Sequence, residues 1–255
     1  MELETIQIYL NSRNASSYNN GSYSDCNFNL PLLEIPLQHH IYISVVNATI
    51  PYAFYNVDNK NNAINYCEVD SSNNITSSKV LYMTIGNYNV MQLASYLSSG
   101  VLPNLTVSYN NIQSTFTFTN STNNFRFYDT NSTSYSLLGL VTSQLGYTQS
   151  TSKILKSSNV VNLASKQCIY ISSNFETGSI NNLLGNSHNI LCSVPILTPP
   201  FSLITYTNQN NFKVNLYNNV IDNIIIKLID QDGNLLNLNN QYFSLTIQLD
   251  VVKFV

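Results

Sequence analysis

The sequence predicts an all-β chain: a single jelly-roll β-sandwich interrupted by a small α+β insertion that carries one short helix. Three observations point there. Runs with an apolar residue at every second position dominate both ends of the chain. In the cleanest of them Phe243, Leu245, Ile247, Leu249 and Val251 alternate with Ser244, Thr246, Gln248 and Asp250, a period that puts one face in a core and one in water. Turn formers are dense: roughly one residue in six is asparagine, which is poor in helix interiors and strands and good in turns. Helical periodicity is confined to one central stretch. The 255 residues suffice for one large all-β domain or two smaller ones with a real core.

The elements follow in order. LETIQIYL (3–10) is a strand, and NSRNASSYNNGSYSD (11–25) is turn-rich, with Asn20-Gly21 as a turn signal. CNFNLP (26–31) and HIYISVVNATI (40–50) are two more strands. From 52 to 157 the pattern changes. INYCEV and VLYMTI form a strand pair. Val90, Leu93, Ala94 and Leu97 then recur at i, i+3, i+4 and i+7, with Asn87 or Asn89 as cap. LTVSYNN and QSTFTFTN read as a hairpin around Asn110-Asn111, FRFYD as a short strand, and Leu137-Leu138 as a short helical turn. From 160 the chain is β again through VVNLA, QCIYISSN, ILCSVPI, SLITYTN, FKVNLY, DNIIIKLID and FSLTIQLDVV, with Asp232-Gly233 turning between the last two. About nine strands outside the insertion, spaced as a sandwich requires, fit an eight-stranded jelly roll whose chain ends lie on neighbouring strands. The expected division is 1–51 with 158–255 as sandwich and 52–157 as insertion, folded separately or continuous with the sandwich.

The chemistry is sparse. Charged residues make up 9% and the net charge is −3, against about 25% charged residues in typical domains. Only Arg13 and Arg126 carry guanidinium groups and no Lys/Arg run exists, so sequence-specific nucleic-acid binding, which needs a basic stripe, is not expected. A low-charge, tyrosine-rich surface suits contact with other protein. MELETIQIYL has neither a basic start nor a long apolar run, so no signal peptide is expected, and no 18-residue apolar stretch predicts a membrane span. Cys26, Cys67, Cys168 and Cys192 are widely spaced in strand-like runs and read as reduced core thiols. His39-His40 lacks a third ligand, and no cofactor or metal is expected.

No catalytic motif of the G-x-S-x-G, P-loop, H-E-x-x-H or G-x-G-x-x-G type is present. His188 lies four residues before Cys192, but nothing marks the orienting group and oxyanion hole that nucleophilic catalysis needs. Glu68 with Asp70, and Asp230 with Asp232, are the pairs a glycosidase could use; Asp-x-Asp-Gly reads instead as a hairpin turn. An enzyme is therefore not expected.

The stretch VNATIPYAFYNV (46–57) ends an alternating strand, with Val45, Asn47 and Thr49 on one face and Val46, Ala48 and Ile50 on the other. Pro51 cannot donate to a ladder, so pairing should stop or reach an edge there. Pro51, Tyr52, Phe54 and Tyr55 read as a structural anchor where the sandwich hands the chain to the insertion. Buried tyrosine hydroxyls need partners, and Asn56 and Asn59 stand ready.

One resemblance covers nearly the whole chain. Its residues are the FNLP strand after Ser24-Asp25, VVNATIPYAFYNV, TIGNYNVMQLASYL, the Phe-rich hairpin, LLGL and QLGY, then VVNLA, QCIYISSN, ILCSVPI, TPPFSLITY and DNIIIKLIDQDGNLLNLNNQYFSLTIQLDVV. This order resembles the penton and minor capsid proteins of virophages, polinton-like viruses and large DNA viruses of protists. In that group a strand ending in Ile-Pro before an aromatic and Tyr-Asn recurs, as do a Gly-Asn-Tyr helix start and a Leu-Gly pair. The resemblance implies a single jelly roll acting as a structural virion protein. It implies a homopentamer closing the icosahedral vertex and contacting the major capsid protein, located in the virion and assembled in the host cytoplasm. Two alternatives stand beside it: a minor capsid or cement protein between capsomers, and a lectin-like glycan-binding sandwich using loops such as SSYNNGSYSD.

Overall fold

The alternating apolar runs become long antiparallel strands. A computed structural model describes residues 2–72, 74–102, 104–128, 130–144, 153–164, 166–178 and 189–253. In chain order the strands are β1 (Glu2–Asn11), β2 (Ser17–Tyr18), β3 (Asp25–Glu34), β4 (His39–Pro51), β5 (Ala63–Val69) and β6 (Ile75–Tyr82). Helix α1 (Val90–Tyr96) follows, then β7 (Leu105–Asn110), β8 (Thr115–Asn120), β9 (Asn124–Tyr128) and β10 (Ile154–Lys156). The chain closes with β11 (Cys168–Ser173), β12 (Asn189–Pro195), β13 (Leu203–Thr207), β14 (Val214–Leu216), β15 (Val220–Ile229) and β16 (Ser244–Lys253). Two units result, Met1–Phe54 with Lys166–Val255, and Tyr55–Ser165.

The first unit is a jelly roll. One sheet has the order β1-β16-β4-β13, with β14 also on β4; the other has the order β12-β11-β15-β3-β2. Taking β13 and β14 as two halves of one strand and leaving out the short β2, the eight strands in chain order stand as 1-8-3-6 and 5-4-7-2, the double Greek key of a jelly roll. The insertion enters between the third and fourth of these strands. The chain's ends are neighbours, since β1 pairs β16 from Glu2↔Lys253 to Asn11↔Ser244. Ile41, Ile43, Ile171, Ile224, Ile226, Ile247 and Leu249 fill the core. These side chains suit long pleated strands, where β-branching packs well against neighbours.

A bulge revises the expected faces of β4. Thr246 opposes Asn47 and Ile247 opposes Val45, so Val46 is the extra residue. Val45 therefore shares the buried face with Ala48 and Ile50, and Val46 turns outward. Two other expectations also change. The Asp232-Gly233 turn lies between β15 and β16, but these strands belong to different sheets, so it is not a hairpin between paired strands. VVNLA (160–164) is not a strand. It runs as irregular chain pinned by Val161 N–H to the Ser114 carbonyl and Asn162 N–H to the Leu137 carbonyl.

The second unit holds two three-stranded sheets, β6-β5-β9 and β10-β8-β7. Asn89, not Asn87, caps α1. Its side chain accepts from Gln92 N–H at 2.9 Å, and the Gln92 side chain accepts from Asn89 N–H at 2.9 Å, a reciprocal capping box. The β7–β8 connection is wider than the expected tight turn, and Asn110 Oδ1 closes it by accepting from Ile112 N–H and Gln113 N–H. The turn at Leu137-Leu138 forms, with Leu138 N–H on the Ser134 carbonyl, and ends on Gly139 at φ +72°. A Cβ there would sit 2.3 Å from the Asn159 carbonyl oxygen, so only glycine fits. Tyr66, Phe116, Phe118, Phe125 and Phe127 centre this unit's core.

Candidate functional site

The segment after β4 is built from its ladder outward. Pro51 opposes Leu203, and the missing proline N–H does not end the contact. Tyr52 N–H donates to the Ser202 carbonyl at 2.9 Å, and Phe201 N–H donates to the Tyr52 carbonyl at 3.0 Å. Tyr52 and Phe54 are buried in the sandwich core, their rings stacked at 4.4 Å, and the Lys166 ammonium lies 5.9 Å from the Phe54 ring centre. Burial pushes the Tyr52 hydroxyl's pKa up. Tyr55 is half-buried and begins the second unit. Asn56 does not serve the tyrosines as expected: its amide donates to the Tyr88 carbonyl at 2.8 Å and its Oδ1 accepts from Tyr88 N–H at 3.0 Å. Asn59 is exposed.

Of the ionisable groups weighed for catalysis, Glu68, Asp70 and Asp230 are committed to structure. Glu68 is buried, and its carboxylate accepts from the Tyr66 hydroxyl and from the amides of Asn104, Asn120 and Asn123 at 3.0–3.2 Å. Burial pushes this carboxyl up, but the amides and the hydroxyl outweigh it and hold the carboxyl below its usual range. A glycosidase acid needs the opposite shift. Asp70 closes its own turn by accepting from Ser72 N–H and Asn74 N–H. Asp230 Oδ1 likewise accepts from Asp232 N–H and Asn234 N–H, closing a turn. Asp250 is buried on β16 and paired with Lys213, with the Thr5 hydroxyl at 2.8 Å.

His39 and His40 open β4 as consecutive strand residues, so their side chains leave on opposite faces. His188 lies outside the described residues. Cys26, Cys67 and Cys192 are buried free thiols, and burial raises all three, Cys26 and Cys192 to about 12. Such thiols are inert. Among the described residues no group of three or more His, Cys, Asp or Glu side chains gathers, and no helix is long and apolar enough to cross a membrane.

What remains is surface, and two features of the sandwich stand out. On the β13 edge, Pro199-Pro200 leads into Phe201, which is 79% exposed, with Leu197 (85%) and Leu203 (57%) beside it. Phe201 has φ +68°, a conformation that costs a bulky L-residue strain. Proline density flagged this turn in the sequence, but left-handed backbone is legible only at Gly or Asn. Elsewhere on the sandwich, a cleft of about 560 Å³ is walled by residues of β1, β3, β4 and β16, among them Tyr9, Asn11, Phe28, Leu30, Asn47 and Thr246. Sequence gave no sign of it, because its walls come from strands far apart in the chain.

No protein-family model matches the sequence, and no curated protein matches it by sequence. Among solved structures, the mavirus penton protein is similar in three dimensions. Its TM-score is 0.56 at 9% identity, with 99% of this chain and 100% of that chain covered. The expected likeness thus holds at the level of architecture: this chain has the all-β jelly-roll fold seen in the mavirus penton protein.

Proposed function

We propose that the chain is a structural capsid protein, a penton subunit. Five copies would close an icosahedral vertex and contact the surrounding major capsid protein in a virion assembled in the host cytoplasm. The observation that carries this reading is the end-to-end likeness to a penton protein, insertion included, with 99% of one chain and 100% of the other covered. A fold alone supports many roles, so surface chemistry adds the second support. Few charges, many tyrosines and exposed apolar residues on a sandwich edge suit burial against protein. A five-membered ring uses one heterologous contact repeated to closure.

Native mass spectrometry and electron microscopy of the purified chain, alone and mixed with its major capsid protein, test the proposal. Five-fold rings are expected. Monomers under both conditions, or density between capsomers instead of at vertices in a particle map, would overturn it.

A further inference from the structure

Among the described residues β1 is the outermost strand of its sheet, and its free side is built to take another strand. We infer that an extended segment of a different polypeptide adds to β1 as a further antiparallel strand, with a basic residue beside Glu4 and apolar residues beside Ile6 and Ile8.

The backbone sets the class of partner. β1 pairs β16 at all ten positions, from Glu2↔Lys253 to Asn11↔Ser244, with no register shift. In such a ladder every second residue turns both its N–H and its C=O away from the partner strand. β1 therefore presents a regular row of donors and acceptors, repeating every 7 Å or about that. Among the described residues no hydrogen bond reaches this row. An extended backbone offers acceptors and donors at the same repeat, which is the geometry of strand addition.

The other edges of the sandwich are protected. β2 has two residues and β14 three. β13 has five and follows the turn that begins at Pro199-Pro200. β12 ends on Pro195, and its ladder with β11 shifts register between Ile171 and Ser172. Short strands, prolines and bulges are how natural sheets keep other chains off their edges. β1 is long and has no proline, no lysine and no bulge.

The side chains set the partner's pattern. Glu4, Ile6, Ile8 and Leu10 oppose Val251, Leu249, Ile247 and Leu245, so they share the core-facing row. Leu10 is buried, Ile6 and Ile8 are half-buried on the rim of the core, and Glu4 is exposed. Apolar residues of an added strand would cover the two isoleucines, and a lysine or arginine would meet Glu4. Thr5, Gln7, Tyr9 and Asn11 on the other row carry no charge and accept neutral neighbours. A second copy does not supply this pattern. Antiparallel self-pairing about Ile6 sets Glu4 opposite Ile8, about Gln7 opposite Leu10, and about Ile8 beyond the end of the strand, never opposite a cation.

The end-capped, fluorescently labelled peptide Val-Thr-Val-Thr-Val-Thr-Lys carries this pattern antiparallel to residues 4–10. It is expected to bind the full chain saturably by fluorescence anisotropy and to protect β1 amides from hydrogen exchange. Methylating one alternate set of its backbone nitrogens should weaken binding about tenfold or more, and methylating the other set should leave binding nearly unchanged, because only one set faces β1. Exchanging its lysine for glutamate should weaken binding about threefold or more. Ile8→Lys puts a charge on the core-facing row, as protected edges do, and should weaken binding about tenfold or more, with circular dichroism confirming the fold. If that variant does not fold, the methylated peptides still decide. No saturable binding, equal loss from both methylated sets, or protection outside β1 would overturn the inference. Dimers of the chain alone that the peptide dissociates in native mass spectrometry would assign the edge to a second copy, and overturn it too. None of these readouts depends on ring formation.

Discussion

The two units use phenylalanine in opposite ways. In the insertion all four, Phe116, Phe118, Phe125 and Phe127, are buried to 1% exposure or less. In the sandwich Phe28, Phe54, Phe175 and Phe243 are buried, yet Phe201 and Phe212 stand in solvent along the β13–β14 edge. The difference follows from sheet size. Three-stranded sheets with strands of three to eight residues offer few inward positions, so each must remove a large area from water, and aromatic rings do this best. Edge-to-face contacts such as Phe118–Phe127 at 5.0 Å then knit them together. The sandwich has five strands of ten or more residues, β1, β3, β4, β15 and β16, and fills its core with Ile, Leu and Val. Among the described residues, its two outward phenylalanines take no part in that core.

The largest expected effects test that division. Phe118→Ala should cost about 3–5 kcal/mol, read by chemical denaturation, with loss of amide protection confined to 55–165. Phe54→Ala should cost a similar amount, about 3–5 kcal/mol, with the loss confined to the sandwich, since Phe54 is 2% exposed and stacked on Tyr52. This also probes the proposed anchor of Pro51, Tyr52, Phe54 and Tyr55. Phe212→Ala, by contrast, should stay within about 0.5 kcal/mol. A loss below about 1 kcal/mol for Phe118→Ala would show that the aromatic cluster is not what holds the insertion together.

The insertion's core also contains a charge, and that sharpens the contrast. Glu68→Gln replaces an acceptor for three amides and a hydroxyl with a group that must itself donate, at a cost of about 1–3 kcal/mol. The carboxyl is held below its ordinary value of 4.5 in the folded chain. Its contribution is therefore complete above that value and is lost as pH falls through the lower, folded-state value. Acid titration of amide exchange within 55–165 checks this. The unaltered chain should loosen below about pH 4.5 and Glu68→Gln should loosen less steeply, whereas parallel curves would remove Glu68 as the cause.

How much of this was legible in the sequence depended on whether a property is local. Period-2 alternation over 243–251 marked β16 and its buried face, and the 90–97 spacing marked α1, because both repeat within a few residues. The bulge at Val46 was not legible: its cause is the partner strand, Thr246–Ile247, two hundred residues away. VVNLA looked like a strand because β-branched residues favour one, but its backbone bonds go to Ser114 and Leu137 of the surrounding turns. The hydrogen-bond network around Glu68 carried no signal, since its amide partners are scattered over 104–123. The cleft walls likewise meet only once β1, β3, β4 and β16 are in register. Tyr52 and Phe54 were readable as large apolar groups at a strand end, whereas the hydrogen bonds carrying the ladder past Pro51 to Phe201 were not.

One expected effect has the opposite sign to the rest. Phe201 holds φ +68° with its ring in water, so the isolated subunit bears the strain and gains no burial in return. Phe201→Gly relaxes that backbone. The unfolded chain gains freedom with glycine, which offsets part of the benefit. The balance should still stabilise the monomer, by about 0.5–1 kcal/mol. Urea denaturation of monomeric samples reads it as a higher midpoint at unchanged slope. A buried phenylalanine such as Phe118 cannot behave this way, because removing its ring opens a cavity. If Phe201→Gly instead destabilises the monomer by about 1 kcal/mol or more, the ring packs on its own subunit, and the contrast between inward and outward phenylalanines fails at the residue on which it most depends.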